Sequence, residues 1–527
     1  MALSPKPNLL IGENYGLTLN QSIHHLLAEI RNESLDSSHF IDIFYQLMQS
    51  KIDPPIETIW VYSALSFRSR EITSEDLSAN ILVAKELFQF ISGCSAPCSV
   101  SKSIALLAPV VFKVYKLVVG LLGKDLEARR VKKAIKEVKS LIGAILGYIG
   151  VCCVKNMNEE NDSNLRVSFS DLISLWMEGK EGLEEFLPLM SDDICKEISV
   201  GLPSVNYLAG VVIAEIFLLK LCFDLRVETK GVELEKEMRS WTVGSITGLR
   251  NFYFFDTLLR MLLEPTLPLT SLLSSEDERF LRTILYDATV LVEYSFLSFE
   301  RAINLPADHV RNLVVKRLII THEAIELSRK NGDRKRAISY TCSFSSSQIP
   351  SQIIKFVTSQ IGMEEEASRL KEGSPRALIK WLLDLDGKGI RIFDDVISKF
   401  CAKLALDDPE SDYQLSAPKP EGRKADVDLQ FYVDNKGEEE DHDGDDKETN
   451  ESMSAAFLAA AHTMRFTENG GRKRKEGRSA GRKRKTKVLK HDLSDNSDSD
   501  GKGQSSVSDD SSGSESEVEN PTSDEDV

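Results

Sequence analysis

Four short stretches of this chain of 527 residues carry residue types and spacings near those of known chemical sites. His322 and Glu323 begin like the helix of a zinc protease, but Glu326 stands where the second histidine ligand would have to be. The segment 120–125 is too short for a phosphate-binding loop, and Asp125 replaces the hydroxyl residue that would contact magnesium. Neither stretch is predicted to bind a metal or a nucleotide.

The other two stretches lack ligands in the same way. The segment 384–387 begins like a calcium loop, but Leu382 and Phe393 occupy positions that need oxygen ligands. Cys94 and Cys98 form a lone C-x₃-C pair, without a second pair or a nearby histidine. Further histidines are scattered, without a paired acid at helical spacing: His24, His25, His39 and His309. We therefore expect no catalytic residue, no metal site, no cofactor and no enzymatic activity; an enzyme with an unrecognised helical site is the least favoured alternative.

The clearest chemical signal is a repeated basic cluster near the C-terminus. The sequence Gly-Arg-Lys-Arg-Lys at 471–475 recurs at 481–485, and residues 471–490 hold 11 lysines and arginines against one acid. Two such clusters suit the acidic grooves of import receptors, and they equally suit nucleic-acid phosphates. A solvated charge run without a specific partner is the plain alternative. The residues predicted to make these contacts are Arg472, Lys473, Arg474, Lys475, Arg482, Lys483, Arg484, Lys485, Lys487 and Lys490.

Acidic blocks flank the basic one. Residues 426–451 hold 12 acids and two lysines, and residues 491–527 hold 12 acids, one lysine and 11 serines. Several hydroxyl residues in the last block have an acid three positions later, which resembles the sites of acidophilic kinases of the casein-kinase-2 type. Each phosphate would add about −1.5 to −2 charges. The predicted phosphorylation sites are Ser497, Ser506, Ser512, Ser514, Ser516, Thr522 and Ser523.

One short segment between the charged blocks has a helical pattern. Residues 454–466 are rich in alanine and begin with a serine, and Phe457, Leu458, Ala461 and Met464 would lie on one side of a helix. An isolated helix of about 13 residues is marginal in water. We interpret it as a helix that folds when it docks on the body or on a partner; a transient helix without consequence is the alternative.

The body that precedes the tail consists of one helical pattern after another. Apolar residues make up 42% of the chain, enough for a sizeable core. Strand signals are scarce and no fixed repeat period stands out. Stretches such as Leu208–Phe223 are apolar on more than one face, which is typical of helices flanked on both sides. The predicted fold is all-α: an irregular helical array, either α-solenoid-like or a large multi-helix bundle, followed by a disordered charged tail.

The domain organisation follows from these shifts in composition. A helical body is predicted for 1–408, with possible subdomain breaks near 156–164 and 331–348. The tail divides into an acidic linker, a short helical segment, a basic bipartite segment and an acidic serine-rich end, at 409–450, 451–467, 468–490 and 491–527. We expect the tail to stay unfolded, because it has too little apolar surface to offset its ordering entropy.

The sequence also predicts where the protein resides. We expect no secretory signal, and the longest apolar stretches, Leu141–Val154 and Leu208–Phe223, are expected to be buried core helices rather than membrane spans. Eight cysteines in a chain of this length are few, and those in apolar runs fit a reducing compartment. We therefore expect a soluble intracellular protein without a membrane partner.

Acidic serine tracts beside lysine and arginine clusters resemble the tails of nucleolar and chromatin-associated proteins. The leading hypothesis is a nuclear and specifically nucleolar scaffold or adaptor in ribosome biogenesis (pre-rRNA processing). It would bind an import receptor, protein partners on its body, and RNA or ribosomal proteins through its tail. The alternative is a chromatin-associated factor that binds histones with its acidic blocks. The sequence of the body suggests no basic patch, so the partner of the body stays open.

Overall fold

A computed structural model describes residues 11–32, 38–68, 76–155, 164–177, 182–201, 204–297, 307–361 and 374–390. They all belong to the first of the two units of the chain, Met1–Gly437. Within the described ranges the regular structure is helical, with a single isolated β-bridge between Asn164 and Ser204 and no strand. The predicted all-α class is thus confirmed for the body.

The first helices in chain order are α1 (Ile11–Arg31), α2 (Ser38–Gln49), α3 (Ile56–Arg68), α4 (Leu77–Cys94), α5 (Val100–Ala105), α6 (Ala108–Leu122), α7 (Arg129–Lys155), α8 (Phe169–Ile173), α9 (Leu183–Phe186) and α10 (Asp192–Val200). They are followed by α11 (Val205–Val227), α12 (Val232–Leu249), α13 (Phe252–Leu263), α14 (Ser275–Val290), α15 (Ala307–Lys330), α16 (Arg334–Ser346), α17 (Ile349–Ile361) and α18 (Pro375–Gly387). A short 3₁₀ turn, Ser295–Leu297, lies between α14 and α15.

Helix α11 lies at the centre of the array. It contacts α5, α6, α7, α13 and α14, and its side chains are buried on every side of the helix axis. This confirms that the apolar stretch Leu208–Phe223 is a core helix flanked by others. The close approach of α13 depends on Gly210, because a Cβ atom there would lie 2.5 Å from the backbone carbon of Tyr253.

Apolar residues recur at helical spacing throughout Trp241–Leu263, which predicts one continuous helix, but the chain breaks there between α12 and α13. Arg250 adopts a left-handed conformation with φ 47°, which ends α12 after Leu249. The side chain of Asn251 then accepts a hydrogen bond from the backbone N–H of Phe254 at 2.8 Å and so caps the start of α13. The prediction of one continuous helix was wrong, because apolar periodicity continued across a cap that the pattern did not register.

Two further boundaries bear on the predictions. The residues at 73–76, a threonine and a serine followed by two acids, predict a helix start with Thr73 as the N-cap. Thr73 lies outside the described residues, and the N-cap of α4 is Asp76, whose carboxylate accepts hydrogen bonds from Ser78 N and Ala79 N. The polar stretch 331–348, predicted as a possible subdomain break, contains α16. Tyr340 on this helix is buried. The division into domains stays a prediction, and most of the other predicted break, 156–163, lies outside the described residues.

Helix α7 is long and packs along one side only. It contacts α4, α5, α6, α11 and α12, and its large apolar side chains Val138, Ile142, Ile145 and Ile149 are buried in these contacts. Since these residues recur every three or four positions, they form one stripe along the helix. The opposite side of α7 faces solvent over most of its length.

Candidate interaction surface

The site residues predicted in the tail lie outside the described residues. This holds for the basic clusters 472–475 and 482–485 with Lys487 and Lys490, for all seven predicted phosphorylation sites, and for the predicted docking helix with Phe457, Leu458, Ala461 and Met464. These assignments stay predictions.

Glu215 is a carboxyl group enclosed in the core, only 1% exposed. Its Oε1 accepts a hydrogen bond from the backbone N–H of Leu189 at 3.2 Å, while Oε2 has no hydrogen-bond partner among the described residues. Burial raises the pKa of Glu215 to about 8, and the Leu189 N–H only partly opposes this. Burial also raises the pKa of the neighbouring Cys195 thiol to about 12. Both groups are thus protonated at neutral pH and closed to solvent, which fits a structural role.

An ion cluster around the buried Asp287 joins α12, α14 and α16. At its centre is Asp287, whose Oδ1 accepts a hydrogen bond from the Tyr340 hydroxyl at 2.6 Å and whose Oδ2 lies 2.8 Å from Arg239 Nε. Arg336 reaches both Asp287, at 3.5 Å, and Glu235, at 3.3 Å. Burial raises the pKa of Asp287 to about 6, although Arg239 and the Tyr340 hydroxyl favour its charged form. These contacts link the three helices to one another.

The C-x₃-C pair lies at the C-terminal end of α4, with Cys94 as the last residue of the helix. The Cys98 thiol donates to Asp53 Oδ1 at 3.2 Å, and Lys102 forms an ion pair with the same carboxylate. Burial raises the pKa of Cys98 to about 12 and also raises that of Cys94, so neither is a ready thiolate. No cluster of histidine, cysteine and acidic residues suited to a metal ion occurs in the parts of the chain that the structure describes.

The histidines give one correction. His25 Nε2 lies 3.3 Å from Glu29 Oε1, one turn further along α1, so the expectation that the scattered histidines lack acids at helical spacing was wrong. This pair is partly exposed and has the spacing of an ordinary surface helix pair. His322 is half-buried, and burial lowers its pKa, while Glu326 forms an ion pair with Arg329 at 2.8 Å.

Helix α7 carries an unusual concentration of cations at its N-terminal end. Arg129, Arg130, Lys133 and Lys136 form no ion pair with any residue in the described ranges. Two nearby carboxylates are already engaged with other cations: Glu137 Oε2 with Lys85 Nζ at 2.9 Å, and Asp224 Oδ1 with Lys139 Nζ at 3.2 Å.

The solvent-facing side of α7 is one continuous stripe of exposed or half-exposed residues with alternating spacings of four and three. We call it the outer stripe, and it consists of Arg129, Lys133, Lys136, Ser140, Gly143, Gly147, Gly150 and Val154. The first three residues are cationic and the other five are uncharged. A Cβ atom added at any of its three glycines would meet nothing within 4 Å, so the surface there is open.

By length and composition alone, two described stretches could cross a membrane, Val100–Leu122 and Arg129–Val154; in an apolar span of 18 residues within each, 78% and 39% are buried, respectively. The second stretch includes Leu141–Val154, the apolar run that the sequence predicts to be a buried core helix. A buried core helix has the same composition, so this finding by itself is weak evidence for a membrane span.

Sequence reasoning missed the basic surface of the body. The signal was present, since five of the eight residues from Arg129 to Lys136 are arginine or lysine. The apolar residues of α7 predict a core helix, and only the packing of α7 shows which of its sides faces solvent. No family model, no curated protein and no solved structure matches the chain.

Proposed function

We propose that this protein is a non-enzymatic scaffold or adaptor of the nucleus, concentrated in the nucleolus, that acts in ribosome biogenesis. The observation that carries the proposal is the repeated tetrabasic cluster at 472–475 and 482–485, set between two strongly acidic blocks. Clusters of this kind bind import receptors and phosphate backbones through charge rather than through a folded pocket. The tail then supplies nuclear import and contact with RNA or ribosomal proteins, and the body binds protein partners.

The state of the buried ionisable groups supports the non-enzymatic part of the proposal. Glu215 and Asp287 are closed to solvent, and the second is tied to Arg239 and Tyr340. A general acid or base needs access to a substrate proton, which these groups lack. A helical body with the partly cationic outer stripe of α7 fits a protein that presents surfaces to partners.

The test of import uses the full chain with a fluorescent tag in cells. Replacing both clusters, 472–475 and 482–485, by alanine should move the protein largely to the cytoplasm, because a chain of 58.9 kDa enters the nucleus slowly without a signal. The matched control replaces Ser512, Ser514 and Ser516 by alanine, which leaves the basic clusters intact. A cluster variant that stays nuclear would refute the assignment.

The acidic blocks 426–451 and 491–527 favour a second candidate, a chromatin-associated factor that binds histones. Affinity purification of the full chain with and without nuclease separates the two. Pre-rRNA and ribosomal proteins that are lost after nuclease treatment support the nucleolar scaffold. Histones that remain bound after nuclease treatment support the chromatin factor instead.

A further inference from the structure

We propose that the outer stripe of α7 is a docking site for an amphipathic helix of a partner protein. That helix presents carboxylates over the first two turns of α7 and large apolar side chains over its glycines. The inference deepens the proposed scaffold role, and it rests on that role only in taking the partner to be a protein. Three properties of the stripe carry it: its charge, its spacing and its small residues.

The charge of the stripe calls for an anionic partner. The N-terminal end of a helix carries partial positive charge, so cations in the first turn are unfavourable by about 0.3–1 kcal/mol each. The first turn of α7 has no acidic residue and instead begins with Arg129 and Arg130. Arg129 and Arg130 form no ion pair within the described residues, and Glu137, which lies close enough to feel the charge of Lys133, is hydrogen-bonded to Lys85, so most of the cost remains. Carboxylates on a docked helix would offset it.

The spacing of the stripe fits a helix better than any other occupant. Positions that alternate by four and three residues follow the heptad repeat, in which one helix lies along another and side chains interdigitate. The uncharged part, from Ser140 to Val154, extends the stripe by about 21 Å at 1.5 Å per residue. It continues the same heptad positions as Lys133 and Lys136, so one partner helix that supercoils with α7 contacts both halves.

The glycines allow the partner to come close. Because Gly143, Gly147 and Gly150 have open space above them, the large side chains of a partner helix can fill the positions that α7 leaves empty. The exposed Val151 and Val154 continue the apolar contact at the C-terminal end. Closely packed helices interdigitate in this way, with large side chains of one helix against small residues of the other.

Two other kinds of occupant fit less well. A membrane surface would need large apolar or aromatic side chains on the outside, but those of α7, such as Ile142, Ile145 and Ile149, point into the core. A nucleic acid would use cations along its whole contact, and the stripe carries no charge after Lys136 and no aromatic residue for stacking.

The experiment measures binding of the full chain to two labelled synthetic helices by fluorescence anisotropy. Each probe carries glutamate at the heptad contact positions of one half and leucine at those of the other half; the acidic half comes first in one probe and last in the other. We expect one orientation to bind. The double change Lys133→Glu with Lys136→Glu should weaken that binding about tenfold or more, since it turns two attractions into repulsions.

A second variant tests the glycine half. Gly147→Gln places a long side chain where the partner must approach and should also weaken binding about tenfold. Both variants are expected to fold, because acids suit the start of α7 and glutamine suits a helix better than glycine. The matched controls are Lys355→Glu on α17 and Gly387→Gln at the end of α18, both exposed, and they should leave the affinity within about twofold.

The proposal is overturned if the α7 variants bind the probe as well as the wild type, or if the controls lose binding to the same extent. It is also overturned if neither probe binds the wild-type chain. A generic single-stranded RNA or phosphatidylserine vesicles that bind, and that lose affinity with Lys133→Glu and Lys136→Glu, would then identify the occupant instead. The localisation test of the tail clusters is independent of this assay, so failure of the docking proposal and failure of the nuclear scaffold are distinguishable.

Discussion

Replacing Glu215 by glutamine is expected to remove a pH dependence from the stability of the body. Glu215 belongs to α11, and its carboxyl is enclosed in the core, where it accepts one hydrogen bond, from the backbone N–H of Leu189. Glutamine has nearly the same shape and keeps an oxygen to accept that bond, but it cannot ionise. The variant therefore isolates the ionisation of one buried group.

The magnitude follows from the pKa in the folded and unfolded chains. Burial raises the pKa of Glu215 to about 8 in the folded protein, whereas an unfolded glutamate titrates near about 4.3. Because the folded value is the higher one, the contribution of the neutral carboxyl to stability is complete below about pH 4 and declines until the pH passes about 8. At about 1.4 kcal/mol per pKa unit, the free energy of unfolding falls by about 3 kcal/mol between pH 5 and pH 8.

The assay is urea unfolding of the full chain and of Glu215→Gln, followed by far-ultraviolet circular dichroism at several values between pH 5 and pH 8. The two proteins should be about equally stable at pH 5, because each then buries a neutral side chain with one unsatisfied polar atom. At pH 8 the variant should be more stable by about 3 kcal/mol. Parallel stability curves for the two proteins over this range would refute the reasoning and mean that the carboxyl is solvated or paired in solution.

Three further outcomes test the packing and the tail. Gly210→Ala should destabilise the body by about 1–3 kcal/mol in the same unfolding assay, because its Cβ would overlap the backbone of α13, whereas Gly244→Ala on the exposed side of α12 should stabilise it by about 0.5–1 kcal/mol. Tyr340→Phe removes the hydrogen bond to Asp287 and should lower the free energy of unfolding by about 1–3 kcal/mol; an unchanged value would mean that water replaces the hydroxyl. Deleting 491–527 should raise the affinity of the chain for a generic RNA and steepen its salt dependence, and equal affinities would contradict shielding of the basic segment.

The fold class could be predicted from the sequence because the buried positions of a helix leave a recognisable pattern of apolar residues. The apolar run Leu208–Phe223 predicted a helix surrounded by others, and α11 is that helix. Helix ends were harder to place, since apolar periodicity does not stop at a cap. The stretch Trp241–Leu263 reads as one helix by its apolar residues, but the left-handed Arg250 and the capping Asn251 divide it. The capping side chain of Asn251 thus sets the helix boundary, although the apolar pattern continues past it.

The candidate surface was not predictable by the same reasoning. The sequence gives the apolar stripe of α7 and its cations, but whether the cations are paired depends on residues far away in the chain. Lys139, for example, forms an ion pair with Asp224 on α11, and Glu137 forms one with Lys85 on α4, while Lys133 and Lys136 form no ion pair with a described acid. Partners at such sequence separations follow from the packing of whole helices, which composition does not encode. Conversely, the tail clusters were evident from composition alone, because their charge needs no fold to be recognised.

Glu215 and the cations of α7 share a property that most described residues lack: each opposes the stability of the free chain. A neutral side chain would suit the core position of Glu215, and acids would suit the first turns of α7. Local rules of this kind are broken most often where a protein meets a ligand or partner, because selection there acts on the bound state. The double change Lys133→Glu with Lys136→Glu tests whether the cations of α7 are retained for a partner or are only a cost to stability. If it raises the midpoint of thermal unfolding while abolishing binding of an acidic helix, the cations are retained for a partner. If it raises stability and leaves binding intact, they are an unselected cost that the large buried core of the body tolerates.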